Sequence, residues 1–136
     1  TAELIELAYP LGVTFHRAFD RVRDGFEALE TLIEMGCVRI LTSGLKPNVT
    51  EGAEMLAQLL KAADERIVIM PGSGVRSSNI AEIAKQTGTV EFHTSARTVV
   101  PSAMEYNNLQ MKEELKTIIA DETEIRNTLN VLHQLV

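Results

Sequence analysis

Apolar residues follow two rhythms along this chain. Four short apolar runs are rich in β-branched or aromatic residues: Val13-Thr14-Phe15-His16, Val38-Arg39-Ile40-Leu41-Thr42, Ile67-Val68-Ile69-Met70 and Val90-Glu91-Phe92-His93-Thr94. Their first residues stand 25, 29 and 23 positions apart. Between them apolar residues recur every three or four positions, which predicts helices. Phe26, Leu29, Leu32 and Ile33 share one face of the first, and Gly36 stops it. Asn48 with Glu51 signals a cap for the next, whose inner face carries Ala53, Leu56, Leu59 and Leu60. Asn79 with Glu82 opens a third near Ser78, with Ile80, Ile83 and Ala84 inward and Gly88 at its end. Asp121 with Glu124 opens the last, with Ile125, Leu129, Leu132 and Val136 on one side. The chain reads as a single domain over 1–136: 1–9 as the tail of a preceding helix, 97–120 as a loop or extension, and 121–136 as a C-terminal helix.

Strand–helix units of this length, repeated in series, predict a parallel sheet with right-handed crossovers. In such sheets, function collects in the loops that follow the strands. Here those are 17–25, 43–47, 71–76 and 95–101. Alternation within the runs sets Val13, Phe15, Val90 and Phe92 on one face and Thr14, His16, Glu91, His93 and Ser95 on the other. A doubly wound sheet carries helices on both faces and prefers apolar residues on both. One apolar and one polar face predicts instead an α/β fold of parallel (β/α) units resembling the second half of a TIM (β/α)8 barrel, with a polar interior. Arg39 is then an inward charge that needs a partner, and Glu91 is the expected one. Four units make half such a barrel and leave unpaired strand edges. The chain is therefore expected to be the C-terminal half of a longer protein, or to pair with another copy and hide inner residues such as Thr14 and Leu41.

Composition narrows the function. The chain has 136 residues, 45% of them hydrophobic and 24% charged, and its mean hydropathy is +0.02, as in an ordinary globular domain. Thirteen Lys and Arg against nineteen Asp and Glu give a net charge of −6, which argues against nucleic acid or an anionic membrane as partner. No apolar run approaches the ~20 residues of a membrane span. Cys37 is the only cysteine, which excludes an intrachain disulfide framework and fits a reducing, cytoplasmic setting.

Four strings, in order at the strand ends, carry a resemblance: Thr14-Phe15-His16-Arg17-Ala18-Phe19-Asp20, Arg39-Ile40-Leu41-Thr42-Ser43-Gly44, Gly72-Ser73-Gly74-Val75-Arg76 with Asn79, and Glu91-Phe92-His93-Thr94-Ser95-Ala96. Together the chain resembles the CutC copper-homeostasis family over residues 1–107, with Ser102, Met104, Tyr106 and Asn107 similar to the segment after its last strand. The resemblance implies a (β/α)8 barrel, a cytoplasmic location, a link to copper and frequent oligomerisation. It implies no particular reaction. The family's first four βα units are missing here, and 109–120 is shorter and more charged than its counterpart.

The residues suggest chemistry of their own. Gly72, Ser73, Gly74 and Arg76, just ahead of a helix, form a candidate anion or phosphate grip with Ser95. Glycines let N–H groups converge, a helix start adds partial positive charge, and an arginine binds an anion bidentately. The alternative is a tight turn that needs only positive φ. His16, Arg17 and Asp20, together with His93, are the candidate catalytic residues. An imidazole at a strand's carboxyl end suits acid–base work, and an adjacent arginine suits an acidic substrate. Asp20 is placed to orient His16 or to pair with Arg17 or Arg21. Glu91, His93 and His16 also form a possible metal cluster, the alternative being that Glu91 neutralises Arg39. Ser43 is a further candidate anion donor. Cu(I) prefers thiolates and thioethers, and the chain offers Cys37 with Met35, Met55, Met70, Met104 and Met111, the last two seven apart as on one helical face. Methionine is more often core filler, so metal ligands are left unassigned, and copper rests on the resemblance. His133 reads as solvent-facing. The partner is thus a copper ion or a small anion. Two readings stand: a copper-homeostasis protein, or a barrel enzyme acting on a small phosphorylated or carboxylated metabolite.

Overall fold

A computed structural model describes residues 1–135. Val136, which the periodicity sets on the last helix's apolar side, lies outside the described residues. The order is α1 (Ala2–Ala8), β1 (Thr14–Phe15), a 3₁₀ turn (Arg17–Arg21), α2 (Gly25–Glu34), β2 (Arg39–Thr42), α3 (Ala53–Ala63) and β3 (Val68–Pro71). Then come α4 (Ile80–Thr87), β4 (Arg97–Pro101), a second 3₁₀ turn (Leu109–Met111), β5 (Lys116–Ala120) and α5 (Glu122–Leu135). Strands β1, β2 and β3 pair in parallel, with Thr14, Arg39 and Val68 level in one row and Phe15, Ile40 and Ile69 in the next. Among the described residues no helix is long and apolar enough to cross a membrane.

The pleat sorts side chains by face. Ile40, Thr42, Ile69 and Pro71 are buried against the helices, while Arg39, Leu41, Val68 and Met70 stay half-buried and Thr14 exposed on the other side. Leu29 and Leu32 of α2, Leu56 and Leu59 of α3, and Ile80 and Ile83 of α4 close over the buried face. Each such fully buried aliphatic side chain contributes about 1.5–3 kcal/mol. Asp24 caps α2 through the N–H groups of Phe26 (2.8 Å) and Glu27 (3.1 Å).

Several elements differ from the sequence expectation. The fourth run forms no strand; of its backbone, the His93 N–H reaches the Pro71 carbonyl (2.9 Å). Threonine hydroxyls pin it instead: Thr89 Oγ1 donates toward the Ile69 carbonyl (3.0 Å) and Thr94 Oγ1 to the Val75 carbonyl (2.8 Å). Val90 consequently lies 88% exposed. Asn48 caps a separate turn through the N–H groups of Thr50 and Glu51, so α3 begins only after Gly52. Helix α4 starts at Ile80 because the Asn79 side chain is drawn back to the Arg76 N–H (2.8 Å) and the Gly74 carbonyl (2.8 Å). Phe26 on α2 is half-exposed. The 97–120 stretch is an antiparallel hairpin, β4 against β5, with Arg97 opposite Ala120 and Pro101 opposite Lys116. Met104 and Met111 lie in its connecting loop rather than on one helix.

Helix α5 is rotated from its expected face. Asp121 caps it as read, accepting the Glu124 N–H (3.1 Å). But the Glu124 carboxylate reaches the Ser77 N–H (2.7 Å) and hydroxyl (2.9 Å) ahead of α4. That contact turns Glu124, Thr128, Val131 and Leu132 inward and leaves Ile125 and Leu129 at the surface.

Two features fix the loops at the carboxyl ends of the strands. Asp20, whose side chain is 7% exposed, collects Thr42 Oγ1 (2.5 Å), the N–H groups of Ser43 (3.0 Å) and Leu45 (3.1 Å), and Arg17 Nε (2.8 Å). Burial pushes its carboxyl up, but the hydrogen bonds from Thr42, Arg17, Leu45 and Ser43 together hold it below the ordinary 3.8. Gly44 and Gly52 bring two backbones together. A Cβ at Gly52 would stand 1.8 Å from the Ser43 carbonyl oxygen, and one at Gly44 2.4 Å from that of Gly52.

Since a backbone carbonyl cannot step aside, Gly52→Ala is expected to destabilise the chain by about 1–3 kcal/mol or more, read as a lower urea midpoint; an unchanged midpoint refutes the close packing. Because the Asp20 pKa is lowered on folding, its stabilisation is present above the ordinary carboxylate value and is lost as pH falls through the folded value. Asp20→Asn should cost about 1–3 kcal/mol at neutral pH and flatten the acid limb of the stability curve. Equal urea midpoints for the two proteins at pH 7 would show the carboxylate to be idle.

Candidate functional site

The site is built from three loops. After β3 the chain turns through Ser73 (φ 83°) and Gly74 (φ 84°), consecutive left-handed residues. A Cβ at Gly72 would lie 2.3 Å from Leu41 Cδ1 and 3.3 Å from His93 Cβ, so a side chain there would have to displace the end of Leu41. The loop is tied to the one after β2, with Val49 N–H donating to the Ser73 carbonyl (3.0 Å) and Ser73 Oγ to the Pro47 carbonyl (3.1 Å). Thr94 Oγ1 ties the third loop to the second at Val75 and accepts the Ala96 N–H (3.1 Å). Ala96 then turns left-handed (φ 40°), and its carbonyl accepts the Asp121 N–H (2.7 Å), bringing Arg97 round.

These loops enclose a recess of about 320 Å³ lined by Arg17, Gly74, Arg76, His93, Ser95 and Arg97. Among the described residues neither Arg76 nor Arg97 makes an ion pair. Nor do the N–H groups of Gly74 and Ser95 find a protein acceptor. Guanidinium groups and unpaired backbone N–H groups around one hollow suit a small anion. The helix start itself is not part of it, because Glu124 occupies the donors of Ser77.

The structure separates the candidates read from sequence. Gly72, Ser73, Gly74, Arg76 and Ser95 come together, with His93 beside them, although the Ser73 hydroxyl is engaged by Pro47. Arg17 lies between Asp20 and Ser43, its Nη2 2.8 Å from Ser43 Oγ. Ser43 is wholly buried, and its hydroxyl faces the Lys46 carbonyl and Asp20, so it is no ligand donor. His16 caps the 3₁₀ turn, its Nδ1 accepting the Ala18 N–H (3.3 Å), and lies in a neighbouring recess rather than with His93. It does not touch Asp20, whose partners are Arg17, Thr42, Ser43 and Leu45. Arg39 and Glu91 are paired across the open sheet face at 2.7 Å, with Arg39 near Thr14 Oγ1 (3.5 Å). Glu91 is thereby tied to Arg39. Among the described residues no group of three or more His, Cys, Asp or Glu side chains is placed to hold a metal ion. Cys37 sits in the core, and burial pushes its thiol up.

Sequence reading missed Arg97, Arg21 and Lys46. Arg97 follows the Thr94-Ser95-Ala96 string directly, but only the turn at Ala96 brings it to the recess. Arg21 and Lys46 come to one surface through the Asp20 contacts, which no spacing in the sequence reveals.

Comparison with known proteins places this arrangement. The model of the CutC family matches residues 1–98. A CutC family protein of Parabacteroides distasonis is 60% identical over 105 residues, 77% of this chain and 43% of that protein. One from Vibrio cholerae serotype O1 is 52% identical over 120 residues, 87% of this chain and 46% of that protein. Among solved structures, one from Streptococcus agalactiae whose name includes the words "Copper Homeostasis Protein CutC" aligns with a TM-score of 0.61 at 32% identity, over 68% of this chain and 48% of that one. The chain thus spans less than half the length of these relatives. With the family model covering the sheet, its helices and the loops of the recess, this chain belongs to the CutC family.

Proposed function

We propose that this chain takes part in copper homeostasis in the cytoplasm by holding a small anionic ligand at the carboxyl ends of its strands, on a scaffold that is half of a (β/α)8 barrel. The observation that carries the reading is the recess lined together by Arg76, Arg97, Ser95 and the Ser73-Gly74 turn. Membership of the CutC family, and the words copper homeostasis in the name of the S. agalactiae relative, support the link to copper. The half-barrel reading draws on the parallel register, the open sheet face and the 48% share of the solved relative. The missing half, or a second copy of this chain, then covers Thr14 and Met70. A lone buried cysteine suits a reducing compartment.

Copper on this reading is cargo that the chain handles indirectly. Cu(I) seeks thiolate, and Cys37 is buried with its thiol kept neutral by desolvation. The anion's charge is met by guanidinium groups in a hollow shielded on one side by Leu41, where such contacts are stronger than in open water.

One observation favours a second reading, an enzyme acting on a small phosphorylated or carboxylated metabolite. The imidazole of His93 is exposed in the same recess and, among the described residues, hydrogen-bonds to no protein group, so it is free to carry a proton to or from a ligand held by the arginines.

Phosphate titration followed by amide NMR should move the Gly74 and Ser95 resonances, and Arg76→Gln should weaken binding about tenfold or more. Resonances that stay fixed at saturating phosphate would overturn the reading. Competition for Cu(I) against a chelator should give no stoichiometric uptake by the reduced chain; one-to-one transfer would make the ion itself the ligand.

A further inference from the structure

The recess of Arg76 and Arg97 does not stand alone. A second, of about 740 Å³, adjoins it and is lined by His16, Arg21, Lys46 and Pro47. Arg17 and Leu41 line both. Neither Arg21 nor Lys46 makes an ion pair among the described residues. Arg17 forms the partition and is held there from one edge, Nε on Asp20 and Nη2 on Ser43 Oγ, both at 2.8 Å. Five of the chain's thirteen Lys and Arg (Arg17, Arg21, Lys46, Arg76 and Arg97) line these two hollows. Among the described residues, Asp20 is the one Asp or Glu of nineteen that does so, and its carboxylate is taken up by Thr42, Ser43, Leu45 and Arg17.

A single anion seated by Arg76 and Arg97 leaves Arg21 and Lys46, the exposed cations of the second recess, without an anionic partner. We infer that the two recesses form one site for a small molecule with two anionic groups, phosphate or carboxylate, one in each hollow. Arg17 reaches both groups, and the half-buried Leu41 between them offers an apolar surface for the carbon linker. This inference rests on the anion-site reading above and adds the number and placement of the ligand's charges. Tethering makes the second contact intramolecular, so the gain over a one-ended anion is large when the linker fits and small when it does not.

The test is calorimetry on the chain with inorganic phosphate, with alkane bisphosphonates of increasing linker length, and with the matching dicarboxylates. One linker length should bind roughly 30-fold tighter than phosphate, or more. A gain with bisphosphonates or with dicarboxylates supports the inference and tells which charged group the site prefers. Replacing both Arg21 and Lys46 by Gln, at exposed positions where the thermal midpoint should hold, should bring the best two-ended ligand down to the affinity of phosphate. Phosphate binding with no gain at any length, or a gain that survives the double substitution, overturns the two-ended site and leaves the anion site standing. If neither phosphate nor any two-ended probe binds, both readings fall.

Discussion

One carboxylate organises the loops at the carboxyl ends of the strands. Asp20 stands on a 3₁₀ turn after β1 and binds the loop after β2 through a threonine hydroxyl and two backbone N–H groups. A buried carboxylate is tolerated only where its oxygens are met by donors, and here all of them except Arg17 come from a segment more than twenty residues away in sequence. The same carboxylate orients Arg17, whose guanidinium then reaches Ser43. The loop that receives Asp20 also passes close enough to its own return that Gly44 and Gly52 admit no side chain. Fold and site therefore share one fastening: what seals the joint between the first two strand–helix units also sets the arginine on which both recesses border.

The sheet and its helices were largely legible because burial enforces periodicity. Ile40 and Ile69, Leu56 and Leu59, and Ile80 and Ile83 recur at the spacing of their element and lie where that spacing sends them. The Arg39–Glu91 pair was legible for a related reason, since alternation in two runs of the sequence set two opposite charges on one face, although the second of those runs forms no strand. Legibility failed where side chains compete with the backbone for hydrogen bonds. The Thr89 hydroxyl takes the Ile69 carbonyl of β3 and the Thr94 hydroxyl a loop carbonyl at Val75, and the fourth run between them forms no strand. Asn48 and Asn79 carry the cap signal but close turns ahead of their helices.

Long-range contacts were invisible for a different reason. Nothing in the spacing around Glu124 points to Ser77, and that contact fixes which stripe of α5 meets α4. The periodicity of Ile125, Leu129 and Leu132 gave a face, and an ionic hydrogen bond kept only Leu132 of it inward. The candidate site follows the same pattern. Its glycine loop is local and was readable, whereas Arg97, Arg21 and Lys46 meet it only through the turn at Ala96 and the loop fastened by Asp20.

The uneven placement of charge has a consequence for encounter. A molecule of net charge −6 repels small anions over most of its surface, yet one end gathers five arginine and lysine side chains with a single, satisfied carboxylate. Such a chain behaves as a dipole whose positive pole is also its mouth. Field lines converge there, so a small anion in solution is drawn toward that end, and dissolved salt blunts the attraction beyond about 8–10 Å.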